Sequence, residues 1–284
     1  MAEVKAMPFP YFGKKTNAAA QVWGLLGDVQ RYIEPFCGSC AVLLNRPHDY
    51  ERRYETINDY DAYLVNMLRA MKFEPRKMAE KVEATPVSKL EFKGLVSDIR
   101  AGEEELRDLI GGGGSYCDID TAASYFMMLC SSISGKCGVR RIDGTHVRLS
   151  YRGDIERRFE QISRRFKYVC IHASSWETLV TNAQLQKPTG IYLDPPYDKT
   201  ERVYRKCESV SSTVEAWCID QSDSPHRIVL SGYDDEHDAL LEFGWGKEET
   251  KKATAGSGAL GNSTNTEQLW YSPNCLKDCS GKLF

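Results

Sequence analysis

Several features are scarce in this 284-residue chain, and each scarcity removes a class of protein. No apolar run approaches the ~20 residues that a membrane helix needs, so no membrane contact is expected. Met1 to Pro10 holds neither a basic region nor an apolar stretch, so no secretory signal is expected. Positive charge is not in excess: the formal net charge is −3, which argues against a generally basic nucleic-acid binder. Internal repeats are lacking. Cys37-x-x-Cys40 is not followed by a second pair at zinc-like spacing, since Cys275 and Cys279 are spaced differently. No metal is therefore expected, and packed thiols at a helix start are the default reading. Ten cysteines without a signal segment point to reduced thiols in a cytoplasm.

What remains is an ordinary globular composition, 42% apolar and 27% charged, with length for one or two domains and an ample core. The chain reads best outward from Ile191-Tyr192-Leu193-Asp194-Pro195-Pro196-Tyr197. Three apolar residues form the end of a buried strand. Two prolines stop it, because neither can donate to a β-ladder and each fixes φ near −65°. The residue before a proline is held extended. A rigid strand end thus presents a carboxylate, free carbonyls and a ring. In an open α/β sheet, ligands bind beyond the carboxyl ends of strands. Taken alone, the stretch reads more simply as a strand with a proline turn and an incidental tyrosine.

Its company changes that balance. Pro8 to Lys15 is a stiff aromatic entry ending in Gly13, Lys14 and Lys15, where glycine permits close approach and lysine can meet an anion. Thr16 is the expected cap of a helix through Leu26. Arg31 to Leu44 reads as strand, tight turn (Cys37 to Cys40) and apolar helix, with Gly38 where a cofactor would approach the backbone. This turn is not G-x-G-x-x-G. Tyr54 to Met71 reads as a second strand leading through Asn58 and Asp59 into a helix. Asp59 lies 21 positions past Gly38, a separation that suits hydrogen bonding to ribose hydroxyls. A helix N-cap is the alternative role, and both can hold at once.

From residue 72 to 150 the alternation breaks. Phe73 to Arg107 reads as largely helical and charged, Gly111 to Ser115 as a flexible break, and Thr121 to Met128 as an apolar helix before a small polar loop. Strand–helix alternation resumes near Asp154: a helix from Ile155 to Phe166, a strand from Tyr168 to Ile171, and a helix start at Trp176. A strand from Arg227 to Tyr233 follows, then a helix from about Asp235 to Phe243, a Gly/Ser/Thr-rich loop over 251–266 and a last strand from Glu267 to Tyr271. Between Lys136 and Lys167 stand ten Lys/Arg against four Asp/Glu, a possible phosphate footprint in an acidic chain or equally a solvated helix face.

Five stretches in this order resemble the Dam-type DNA adenine methylases, particularly phage and prophage members. They are Pro10-Tyr11-Phe12-Gly13-Lys14-Lys15, Glu34-Pro35-Phe36-Cys37-Gly38-Ser39-Cys40, Asn58-Asp59-Tyr60-Asp61, Asp194-Pro195-Pro196-Tyr197 and Glu267-Gln268-Leu269-Trp270. The resemblance implies an α/β, Rossmann-like methyltransferase sheet. Residues 1–72 and 151–284 would be its catalytic domain and 73–150 a mainly helical target-recognition insert. It implies S-adenosylmethionine as methyl donor, the N6 amine of adenine in DNA as acceptor, and a cytoplasmic location in a bacterial or phage-infected host cell. A monomer is the default expectation. Tyr11, Phe12, Gly13, Lys15, Glu34, Pro35, Phe36, Cys37, Gly38, Ser39, Asp59, Ser175, Trp176 and Asp194 would hold the donor, with Lys15 near its carboxylate and Asp59 on its ribose. Asp194, Pro195, Pro196 and Tyr197 would hold the acceptor base. Lys136, Arg140, Arg141, Arg148 and Arg152 are the expected DNA contacts.

Two departures stand out. Cys40 replaces the second glycine of F-x-G-x-G, and Ser175 stands where an acid often binds the donor's adenine. The rival readings are a cytosine-N4 or RNA adenine methyltransferase and a silent nucleic-acid binder of the same fold.

Overall fold

A computed structural model of the chain describes residues 6–7, 9–11, 15, 18–47, 51, 53–85, 102–111, 114–131, 142–143, 146–147, 154–181, 187–196, 210–250 and 266–276. Outside the described residues lie Phe12, Gly13, Thr16, Tyr197, Lys136, Arg140, Arg141, Arg148 and Arg152, together with residues 251–265.

In chain order the elements are α1 (Ala19–Leu26), β1 (Arg31–Glu34), α2 (Ala41–Leu44), β2 (Tyr54–Asn58), α3 (Ala62–Phe73), α4 (Pro75–Ala84), α5 (Glu103–Gly111), α6 (Ile119–Ser131), β3 (Ile142–Asp143), β4 (His146–Val147), α7 (Ile155–Arg165), β5 (Val169–His172), β6 (Gly190–Leu193), α8 (Val210–Asp220), β7 (Arg227–Tyr233), β8 (Gly246–Glu249) and β9 (Glu267–Tyr271). Short 3-10 helices cover Trp176–Thr178 and Asp238–Phe243. Among the described residues, seven strands form the main sheet and β3 pairs with β4 separately. The chain divides into two compact units: Met1–Lys14, Cys37–Leu44 and Thr56–Leu179 in the first, Lys15–Phe36, Asn45–Glu55 and Val180–Phe284 in the second.

The first unit is built around α3. The Asp61 side chain starts this helix by accepting the N–H groups of Tyr63 and Leu64. Ten of its twelve residues are buried, so it is a core helix on every face rather than an amphipathic one. Its polar members are satisfied. Asn66 exchanges two 2.8 Å hydrogen bonds with the backbone of Asp118, and Arg69 donates to the carbonyls of Ile110 and Ile171. Helices α5, α6 and α7 pack on α3, and α4 packs on α6 and α7. In α7 the apolar stripe Ile155, Phe159 and Ile162 recurs at helical spacing. Phe159 meets Phe126 of α6 edge to face at 5.3 Å. The described helices of the 73–150 stretch thus pack within this unit. Strand β5 lies at the edge of the sheet. Lys72 and Arg69 cover its Val169 and Ile171 carbonyls, groups an exposed edge would leave open to another strand.

The second unit holds strands in the order β1-β6-β7-β9-β8. The β1–β6 and β6–β7 pairs are parallel, and β9 is antiparallel to both β7 and β8. All four residues of β6 are buried, the continuous apolar run that a parallel strand covered on both faces requires. α1 packs on β6 and β7. It starts from Ala18, without a side-chain cap. It ends at Gly27 with φ +63°, where a Cβ would come within 2.4 Å of Leu276.

The helix expected from Asp235 to Phe243 is instead a turn followed by the 3-10 helix. Side chains explain the change. Glu236 accepts the Tyr233 N–H, and Asp238 binds Lys247 and the Trp270 indole, holding the backbone off an α-helical path. Two elements carried no sequence signal. The buried face of α8 is Ser211, Val214 and Cys218, too thin a stripe to read. The Gly-Lys-Glu-Glu of β8 is a strand because β9 offers it a ladder. Among the described residues, no helix is long and apolar enough to cross a membrane.

Candidate functional site

In the first unit, the turn after Phe36 is fixed from both sides. Cys37 N–H donates to the Asn58 carbonyl at 2.8 Å, and Cys40 N–H closes the turn on the Cys37 carbonyl. Gly38 has φ +44°, and a Cβ there would meet the Tyr11 ring at 2.8 Å. Glycine is therefore needed for conformation and for space. Cys40 has φ +53°, in the left-handed region that costs a non-glycine residue about 1–2 kcal/mol. This gives the glycine of F-x-G-x-G a backbone reason, and here a fully buried cysteine bears the strain. Ser39 is buried beside it.

Asp59 follows β2 and faces this turn. Its Oδ2 accepts Gly38 N–H at 2.9 Å and its Oδ1 accepts Asp61 N–H at 3.0 Å. The helix cap is Asp61, not Asp59, which leaves Asp59 for another purpose. The other Asp61 oxygen accepts the Tyr125 hydroxyl. Burial and the neighbouring Asp61 carboxylate push Asp59 up to about 6, against the backbone N–H groups of Asp61, Gly38 and Tyr60 that favour its charged form. Four lone-pair sites on a carboxylate exceed these backbone donors, so acceptor capacity remains.

Asn58, beside Asp59, carries a role that its type alone did not signal. Its side chain donates to the Ser174 carbonyl and accepts the Ser174 N–H, tying the loop after β5 to the end of β2. The next residue, Ser175, is exposed and extended, and its side chain makes no cap bond to the turn it begins. Trp176 is buried.

The second unit carries the other group. Asp194 stands one residue beyond β6, with Pro195 buried and Pro196 half-buried behind it. The side chain of Asp194 is 16% exposed, and its Oδ1 lies 3.1 Å from Lys15 Nζ. The same ammonium binds Glu267 at the start of β9. Burial pulls Lys15 down, but the Asp194 and Glu267 carboxylates outweigh it and the group is held above the ordinary lysine value. Lys15 thus meets two carboxylates of its own chain. Glu267 sat in a motif with no assigned role, and only its pairing reveals one. Glu34, at the end of β1, is buried and accepts the Tyr32 hydroxyl at 2.9 Å, with Pro35 and Phe36 next in sequence. Behind Asp194, the Tyr192 hydroxyl bonds Ser231 at 2.7 Å and stiffens the strand pair β6–β7.

The structure thus gathers Tyr11, Cys37, Gly38, Ser39, Asp59, Ser175 and Trp176 in one unit. It gathers Lys15, Glu34, Pro35, Phe36, Asp194, Pro195 and Pro196 in the other. A family model described as "D12 class N6 adenine-specific DNA methyltransferase" matches residues 11–216. The matched span is well over half of the chain and includes the Gly38 turn, Asp59 and the Asp194 stretch. No curated protein matches the chain.

Proposed function

Because the chain belongs to the D12 class N6 adenine-specific DNA methyltransferases, we propose that it transfers a methyl group to the exocyclic N6 amine of adenine at a specific DNA sequence. Membership makes it an enzyme that methylates adenine in DNA, with S-adenosylmethionine as the donor the family implies. The observation that carries the finer reading is Asp194, a carboxylate at the end of a fully buried strand, followed by two prolines and paired to a buried lysine.

The residues of the first unit fit a nucleoside. Gly38 turns beside Asp59 and Tyr11, and Asp59 keeps one acceptor site for a ribose hydroxyl beyond its three backbone donors. Phe36, Cys37, Gly38 and Ser39 would line the donor, and the Ser175 hydroxyl would accept from its adenine. S-adenosylmethionine supplies a sulfonium-bound, electrophilic methyl.

The acceptor needs more help. The lone pair of an aromatic exocyclic amine is delocalised into the ring, so the amine is a weak nucleophile. N–H bonds to the Asp194 carboxylate and the Pro195 carbonyl favour a pyramidal, more reactive nitrogen. In-line positioning supplies much of the remaining rate. Extruding the base from the duplex costs a few kcal/mol. Stacking on Tyr197 offsets part of this, by about 1–3 kcal/mol. Residues 73–150 are assigned to target recognition, and Lys136, Arg140, Arg141, Arg148 and Arg152 to phosphates.

The test is incubation with S-adenosylmethionine and mixed-sequence DNA, followed by modification-sensitive single-molecule sequencing. N6-methyladenine in one sequence context is the expected outcome. Modified cytosine, or no modified base at all, rejects the proposal.

A further inference from the structure

Asp194, Lys15 and Glu267 form a three-member charge cluster inside the second unit, two carboxylates on one ammonium. Lys15 is only 8% exposed, so water does little to dilute these contacts. The ammonium has three donors, and two of them go to the two acids. A bare Lys–Asp pair would be neutral, and the ammonium would weaken the carboxylate as an acceptor for a substrate amine. A third group that draws the ammonium toward itself changes this. Glu267 is placed to do so: it begins β9, and its register partner on β7 is Tyr233. Its backbone is therefore fixed by the sheet rather than by a loop.

We propose that Glu267 is a positioning residue for the acceptor carboxylate. By sharing the Lys15 ammonium, it leaves Asp194 ionised but only partly neutralised, a strong acceptor for the amine of the target base. This rests on the adenine methyltransferase reading. Among the described residues, Tyr192 and Tyr233 feel the charges of the cluster, and Glu34 and Glu236 act in turn on these two tyrosines. The tyrosines stay neutral, because burial and the nearby carboxylates both raise them. The carboxylates and Lys15 therefore dominate the charge at Asp194.

Two variants separate this role from a structural one. Glu267→Gln keeps shape and hydrogen bonding but removes a negative charge, so Asp194 should ionise more easily. Lys15→Met removes the positive charge, so Asp194 should ionise less easily. The full-length protein carrying ¹³C-labelled aspartate would be titrated by NMR, with Asp194 assigned through Asp194→Asn. Its midpoint should move down by about one unit in Glu267→Gln and up by about one unit or more in Lys15→Met. In single-turnover methylation, the acid limb of the rate–pH profile should move in the same two directions. The plateau rate of Glu267→Gln should fall about tenfold, and Glu267→Asp should recover part of it. An unmoved midpoint in Glu267→Gln, or the same direction in both variants, overturns the proposal. The NMR titration reads the cluster even in a protein that methylates nothing. A failure of the adenine reading would therefore appear as absent turnover with the midpoint shifts intact.

Discussion

At the residue scale, the two carboxylates of the proposed site differ in their surroundings. Asp194 is paired to an ammonium, whereas Asp59 is held by backbone N–H groups beside another acid. Asp194→Ala should lower the single-turnover rate by at least about a hundredfold, the scale of removing a preorganised electrostatic partner. Donor binding should change little. Undiminished turnover would remove Asp194 from the chemistry. Asp59 makes a pH prediction. Its value in the folded protein, about 6, lies above the ordinary 3.8. The folded chain therefore binds this proton more tightly than the unfolded chain. The group opposes folding fully above about pH 6, and that penalty is relieved as pH falls from 6 toward 4. Donor binding runs the other way, because the ionised form is the stronger acceptor for a ribose hydroxyl. The dissociation constant for S-adenosylmethionine should be flat from pH 7 to 8 and rise toward tenfold per unit below about pH 6. Asp59→Asn should weaken binding and abolish that slope. Calorimetric titrations across this range check it, and a slope that survives in the Asn variant rejects the ribose role.

At the element scale, sequence and structure agree where local rules suffice. β6 was legible because three apolar residues meet two prolines, and α7 because Ile155, Phe159 and Ile162 share one helical face. The 3-10 helix at Asp238 was not legible, because Trp270 and Lys247, which hold it, lie elsewhere in the chain. The segment joining α2 to β2 makes the same point. Arg46 is fully buried, stacked 4.8 Å over Trp23 and bonded to Glu55 at 3.0 Å and to the Val29 carbonyl. Nothing in the sequence pairs Arg46 with Glu55. Breaking one partner of a buried pair strands the other charge, so Glu55→Ala should cost about 3–5 kcal/mol in urea unfolding. A loss under about 1 kcal/mol would mean that Asp28 and solvent compensate.

At the scale of the whole molecule, the net charge of −3 hides a local excess of basic residues between Lys136 and Lys167. If Arg140 and Arg141 each neutralise a phosphate, reversing both charges should weaken DNA binding. It should also flatten the log–log salt dependence by about 0.9 for each phosphate left un-neutralised. Binding titrations at several salt concentrations decide it, and an unchanged slope moves the DNA footprint elsewhere. The sequence by itself determined the α/β class, the Gly38 turn, and Asp59 and Asp194 at strand ends. Each follows from neighbours in the chain: proline stops strands, glycine permits positive φ, and apolar runs become buried strands. Only the tertiary structure decided that Asp61 rather than Asp59 caps α3, that Asn58 anchors Ser174, and that Lys15 lies between Asp194 and Glu267. Lys15 and Glu267 are 252 positions apart. No local rule links them, and the pairing exists because a buried ammonium offsets its missing hydration by meeting carboxylates.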